Sequence, residues 1–114
     1  MMIYDTAREL AKELKNSDEY RAFVETRDKA MANDTTKALI RELHQLQMRA
    51  QSAMVSGGKD EEALTRLQKI GEILQFNPDA SAYLTAEFRL SRMMGDVYKI
   101  LAEAVDVDLS MLEG

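Results

Sequence analysis

Apolar residues recur along this chain at three- and four-residue intervals and nowhere alternate strictly with polar ones, the period of a helix buried on one face rather than of a strand. Ile3, Ala7, Leu10 and Leu14 follow this spacing, and with Asp5 or Thr6 as N-cap they predict a first helix over 5–15. Ser17 opens the next, with Asp18 and Glu19 in the first turn, where the helix dipole favours negative charge. Its apolar set, Tyr20, Phe23, Val24, Ala30 and Met31, is interrupted by Arg27, so a helix over 18–32 has a narrow buried face and belongs at an edge. Asn33-Asp34 marks the next start, with Asp34 as N-cap of a helix over 35–56. Leu39, Leu43, Leu46, Ala50 and Ala53 hold its register, and Ile40, Met54 and Val55 widen it. Gly57-Gly58 ends it, because glycine enters the left-handed region without steric cost. Asp60, Glu61 and Glu62 begin a fourth helix over 60–76, with Ala63, Leu67, Ile70 and Leu74 on one face. So short a connection predicts an antiparallel hairpin of the third and fourth helices.

Asn77 precedes Pro78, the only proline, whose fixed φ and missing N–H suit the first turn of a helix and forbid its interior. A fifth helix is therefore expected over 79–105, the longest and most thoroughly buried. Ala80, Tyr83, Glu87, Leu90, Met94, Val97, Leu101 and Ala104 draw one stripe along it, and Leu84, Phe88, Met93 and Ile100 add apolar surface beside the stripe. One neighbour cannot cover so wide a face. The expectation is an all-α fold of about five helices in a single domain, 1–114, with the long C-terminal helix packed on the hairpin and completed by dimerisation. Tyr83, Leu84, Glu87, Phe88, Leu90, Met93, Met94, Val97, Ile100 and Leu101 are the candidate oligomer interface, in a homodimer or higher homo-oligomer, with the third or fourth helix completing it. A short acidic tail, 106–114, follows, either a frayed end or a docking peptide for a partner groove.

Composition supports this class: 46% hydrophobic and 31% charged residues with five glycines and one proline fit a helical protein and exclude a disordered chain. Eight methionines against three phenylalanines imply an adaptable core. The net charge of −5 is uneven, with nine basic and nine acidic residues in 1–57 and six basic and eleven acidic in 58–114. Such a field repels phosphate backbones and anionic membranes, and no dense basic face offsets it. Lys37, Arg41 and Arg49 are the loose basic set on which an RNA-binding accessory role would rest, but aromatic residues for base stacking are missing there. The absence of cysteine excludes disulfides, thiolate catalysis and cysteine-held metal clusters. The longest apolar run, Met1-Met2-Ile3-Tyr4, is far short of a membrane span, so a cytoplasmic location is expected.

No reaction chemistry stands out. His44, the single histidine, faces away from the apolar stripe and is expected to be solvated or at a rim. Gly57-Gly58 lacks the Lys-Ser/Thr that would hold a phosphate. Glu103, Asp106 and Asp108 are too few oxygens for a calcium site. No cofactor and no enzyme activity are expected. Glu87 on the apolar stripe either reaches water or forms a specificity-setting pair at an interface. Gly71 and Gly95 each cost their helix ~1 kcal/mol relative to alanine, which close approach of a second helix usually offsets.

Three motifs in order, Ile3-Tyr4-Asp5-x-Ala7-x-x-Leu10, Ser17-x-Glu19-Tyr20 and Tyr83-Leu84-x-Ala86-Glu87-x-x-Leu90, resemble the YlbF/YmcA/YheA family of small bacterial helical proteins, and its cysteine-free YheA-like branch most closely. The resemblance spans nearly the whole chain. It implies an all-α, non-enzymatic, oligomer-forming regulatory or adaptor protein acting through helix-mediated contacts with a protein partner. The YlbF and YmcA relatives are linked with competence, sporulation and biofilm control, and act with a third protein as accessory factors of RNase Y. Their iron–sulfur cluster depends on cysteines that this sequence lacks, so it does not carry over.

Overall fold

A computed structural model of the 114-residue chain describes residues 1–106. Five helices follow in order: α1 (Met2–Lys15), α2 (Asp18–Met31), α3 (Asp34–Val55), α4 (Glu61–Gln75) and α5 (Pro78–Ala104). Among the described residues all regular secondary structure is helical, as the 3–4 apolar spacing requires. The acidic tail expected over 106–114 lies, beyond Asp106, outside the described residues.

Local hydrogen bonds set the boundaries. α1 begins ahead of both expected caps: Met1 is its N-cap and makes no side-chain cap bond, and Asp5 lies inside the first turn. Thr6 is already helical and donates its hydroxyl to the Met2 carbonyl (3.1 Å), a bond back along the helix that caps nothing. Ser17 joins α1 to α2 by donating to the Leu14 carbonyl (2.6 Å) and accepting from the Tyr20 N–H (3.2 Å). The α3 cap is Asn33 rather than Asp34; its side chain accepts from the Thr36 N–H at 2.9 Å, which leaves Asp34 in the first turn, where the dipole still favours it. At the far end of α3, the Gly57 N–H bonds to the Met54 carbonyl and the Gly58 N–H to the Ala53 carbonyl. This reciprocal pair needs a left-handed residue at Gly57, whose φ is +86°.

The chain divides into two compact units. One is Glu25–Leu84, holding the end of α2, the α3–α4 hairpin and the first two turns of α5. Arg49 pairs with Asp60, and Arg66 with Glu42. Moving back along α3 moves forward along α4, so the two helices are antiparallel as expected. Their seam buries Ile40, Leu43 and Leu46 of α3 with Ala63, Ile70 and Leu74 of α4, and α5 adds Ala80 and Tyr83. Thr36 is the buried polar residue there, so the α3 seam is centred on Thr36 and Ile40 rather than on Leu39, which is half-buried.

The other unit comprises Met1–Val24 and residues 85–106. Its buried residues are Ala86 and Ala102, and α1 buries none. α5 is thus the longest helix, at 27 residues, but not the most thoroughly buried. Past Ala86 its large apolar side chains are half-buried or exposed, because the described neighbours do not cover both sets of apolar positions.

Candidate functional site

Within Glu25–Leu84 the most connected polar group is a chain of three hydrogen bonds linking two helix starts. Asn33 caps α3 through the Thr36 N–H, the Thr36 hydroxyl accepts from Asn77 Nδ2 at 2.8 Å, and Asn77 Oδ1 accepts from the Ala80 N–H at 3.1 Å. Asn77 thereby caps α5, whose first residue is Pro78, and fastens that cap to the buried start of α3. Both asparagine carbonyl oxygens in this node are spent on helix caps, and among the described residues no buried side-chain nitrogen or oxygen lacks a partner.

On the outside of the hairpin the Arg66 guanidinium meets Glu42 as a two-pronged fork, Nε to Oε1 at 2.7 Å and Nη2 to Oε2 at 3.2 Å. The hydrogen bond from Arg66 holds the Glu42 carboxyl below the ordinary carboxylate range, ahead of the opposing effect of desolvation. Asp60 is lowered too, first by the Ala63 N–H that it caps and also by Arg49. Glu42, Arg49 and Arg66 line a cavity of about 590 Å³ together with Glu61, Glu62 and Lys69, so three acidic and three basic groups share it and no single sign of field builds up. Arg49 is engaged by Asp60, which removes one member of the basic set Lys37, Arg41 and Arg49. His44 is half-buried, with its ring 6.5 Å from that of Tyr83 and inclined at 71°, an edge-to-face aromatic contact.

The ten interface candidates on α5 separate by burial. Tyr83 is buried within its own chain, at 4% exposed. Leu84, Glu87, Leu90, Met93, Met94 and Val97 are half-buried. Phe88 and Ile100 are each 66% exposed and Leu101 53%, which makes these three the part of the set that water reaches. The reading from sequence missed α1: Met2 is 82% exposed and Ile3 64%. Met2, Ile3, Thr6, Ala7 and Leu10 line an apolar cavity of about 570 Å³ with Leu101 of α5. The signal was present in the Met1-Met2-Ile3-Tyr4 run, whose clustering at a helix start is informative although it is too short to span a membrane. Apart from their own helix backbone, no heavy atom of the described residues lies within 4 Å of where a Cβ would stand on Gly71 or Gly95, so no described helix approaches them closely.

Among the described residues no group of three or more His, Asp or Glu is placed to hold a metal ion, and Asp108 of the acidic trio lies outside them. No helix among them is long and apolar enough to cross a membrane.

Residues 3–106 match the family model described as control of competence regulator ComK, YlbF/YmcA. Among curated relatives, a UPF0342 protein of Clostridium tetani is 40% identical over 111 residues, covering 96% of both chains. One from Desulfitobacterium hafniense is 40% identical over 110 residues, 92% of this chain and 86% of that one. One from Halothermothrix orenii is 34% identical over 111 residues, 96% of this chain and 94% of that one. Two solved structures share the fold. The DUF964 protein from Bacillus stearothermophilus superposes with a TM-score of 0.77 at 15% identity, over 93% of this chain and 94% of that one. Bacillus subtilis RicA, solved in complex with RicF, gives 0.60 at 16% identity over 92% and 94%.

Proposed function

The chain belongs to the YlbF/YmcA family, and from that premise we propose that it is a non-enzymatic regulatory or adaptor protein of the cytoplasm that works through helix-face contacts with other proteins, a second copy of itself included. The observation that carries this reading is the exposure of large apolar side chains on α5, Phe88, Ile100 and Leu101, the last of them lining an apolar cavity with the exposed start of α1. Each such side chain forgoes about 1.5–3 kcal/mol of burial while it stays in water, a cost that contact with a partner would remove. RicA, which shares the fold, was solved bound to another protein, RicF, and that supports contact with a protein as the mode of action. The polar groups fit the same reading: the capping node and both hairpin ion pairs are satisfied within the chain, leaving no poised acid, base or nucleophile among them.

The test is retention of protein from a native-cell extract by the immobilised chain, with and without ribonuclease, against a Phe88→Asp/Ile100→Asp variant. The adaptor role predicts a defined protein that survives ribonuclease and is lost with the variant. Retention of RNA alone, abolished by Arg41→Glu with Arg49→Glu and by moderate salt, would instead establish the RNA-accessory role.

A further inference from the structure

α1 has 14 residues, a length at which an isolated helix is marginal in water and depends on packing an apolar face, yet none of its residues is buried. Its apolar face and Leu101 of α5 line the cavity of about 570 Å³, where the one polar side chain, Thr6, already donates to the Met2 carbonyl at 3.1 Å. An occupant is therefore met almost wholly by carbon. A small-molecule site would present several convergent polar groups to fix its ligand, and this one does not.

The end of α5 supplies the occupant. Asp106 has φ +56°, in the left-handed region that aspartate and asparagine enter more readily than other residues with a side chain. Its N–H bonds to the Glu103 carbonyl at 3.4 Å, the same relation that Gly57 has to Met54 at the end of α3. A helix that ends in this way turns its chain off the axis, and the residue after the left-handed one commonly packs an apolar side chain against the helix's last turn. Here that residue is Val107, and the helix positions it would meet are Ala102 and Leu101. Leu109, Met111 and Leu112 follow with three more apolar side chains, in a stretch without a basic residue. Leu101 lies about 7.5 Å back along the helix from Asp106, whereas residues 107–112 can span about 20 Å. The segment therefore reaches the cavity with chain to spare. Being tethered, it meets its site at an effective concentration of order millimolar, which favours it over a separate occupant of equal intrinsic affinity.

We infer that residues 107–112 fold back onto their own chain and fill the cavity between α1 and Leu101, giving α1 the apolar contact it otherwise lacks. The inference rests on the contact reading above and adds what governs that surface. The segment covers Leu101 and the start of α1 until a partner displaces it, while Phe88 and Ile100, which do not line the cavity, stay available.

The experiment uses the full-length chain, which has no cysteine of its own. Ala7→Cys, at the cavity, and Glu9→Cys, outside it, are each combined with Leu109→Cys and equilibrated with glutathione at nanomolar protein, and disulfide formation is read by mass spectrometry. The Ala7 pair should close within a single chain about tenfold more readily than the Glu9 pair. Hydrogen exchange supplies the second readout: residues 2–14 of the wild type should be about tenfold more protected than those of a Leu109→Asp/Leu112→Asp variant, with 40–46 equal in both. Three results would overturn the inference: equal closure of the two pairs; closure of the Ala7 pair only between two chains, which makes a second copy the occupant; or protection of 2–14 that the double variant keeps. No other protein takes part, so any of these leaves the contact reading standing. Failure of that reading in the extract test would leave the Ala7 closure intact and remove only the partner that displaces the segment.

Discussion

Replacing Asn77 with alanine breaks two bonds of different kinds, so its cost should exceed that of losing a helix cap. The cap on α5, Asn77 Oδ1 to the Ala80 N–H at 3.1 Å, is worth about 1 kcal/mol. The bond from Asn77 Nδ2 to the Thr36 hydroxyl is 2.8 Å long, and Thr36 is only 5% exposed, so the abandoned oxygen cannot turn to water. Leaving a buried polar group unsatisfied costs about 1–3 kcal/mol. Asn77→Ala should therefore destabilise the chain by about 3 kcal/mol, a fall in Tm on the order of 10 °C for a domain of this size. Thr36→Val keeps the shape and removes the hydroxyl; half-buried Asn77 can then solvate its amide, so about 1 kcal/mol is expected. In the double variant the Thr36 penalty disappears, and the two costs should fall short of additivity by about 2 kcal/mol. Urea unfolding followed by circular dichroism on all four proteins measures this. Costs that add to within about 0.3 kcal/mol, or an Asn77→Ala cost no larger than that of an ordinary cap, would refute the link between the α3 and α5 starts.

Acid should loosen the hairpin. The folded pKa values of Glu42 and Asp60 lie below their unfolded ones, so the stability these groups contribute is complete above the ordinary carboxylate range of about 4 and is lost as pH falls through the folded values. The urea midpoint should drop on that acid limb, and Glu42→Gln should flatten the drop; an unchanged acid limb in the variant would contradict the Arg66 fork. Two glycines should respond in opposite directions. Gly57→Ala forces a side chain into φ +86° and should cost about 1–2 kcal/mol, whereas Gly71→Ala, in the open on α4, should stabilise by about 0.5–1 kcal/mol. Thermal melts check both, and equal shifts of the same sign would contradict these assignments.

The helices were legible because their signals are local. Pro78, Gly57-Gly58 and the 3–4 apolar spacing place α3, α4 and α5 to within a residue or so. Caps were less so: Asn33 and Asp34 are both good N-caps by type, and only the bond to the Thr36 N–H separates them. The start of α1 was misplaced because Met1 caps it with no side-chain bond, leaving no residue-type signal to read. The candidate face was legible only in part. Spacing grouped Tyr83 with Leu90 and Leu101, yet Tyr83 is taken up beside His44 of α3 and Leu101 stands with α1. Which neighbour covers each turn of a long helix depends on contacts far apart in sequence, and periodicity carries no information about them. The same limit hid Thr36, a polar residue on a buried face whose partner lies 41 residues away.

Whether the exposed apolar residues of α5 make protein contacts is tested most directly by light scattering of the wild-type chain at micromolar concentration. A mass near twice 12.9 kDa is predicted, falling to that of a single, still helical chain with Phe88→Asp and Ile100→Asp. A well-folded wild-type monomer at that concentration, with the same mass and stability as the double variant, would contradict it.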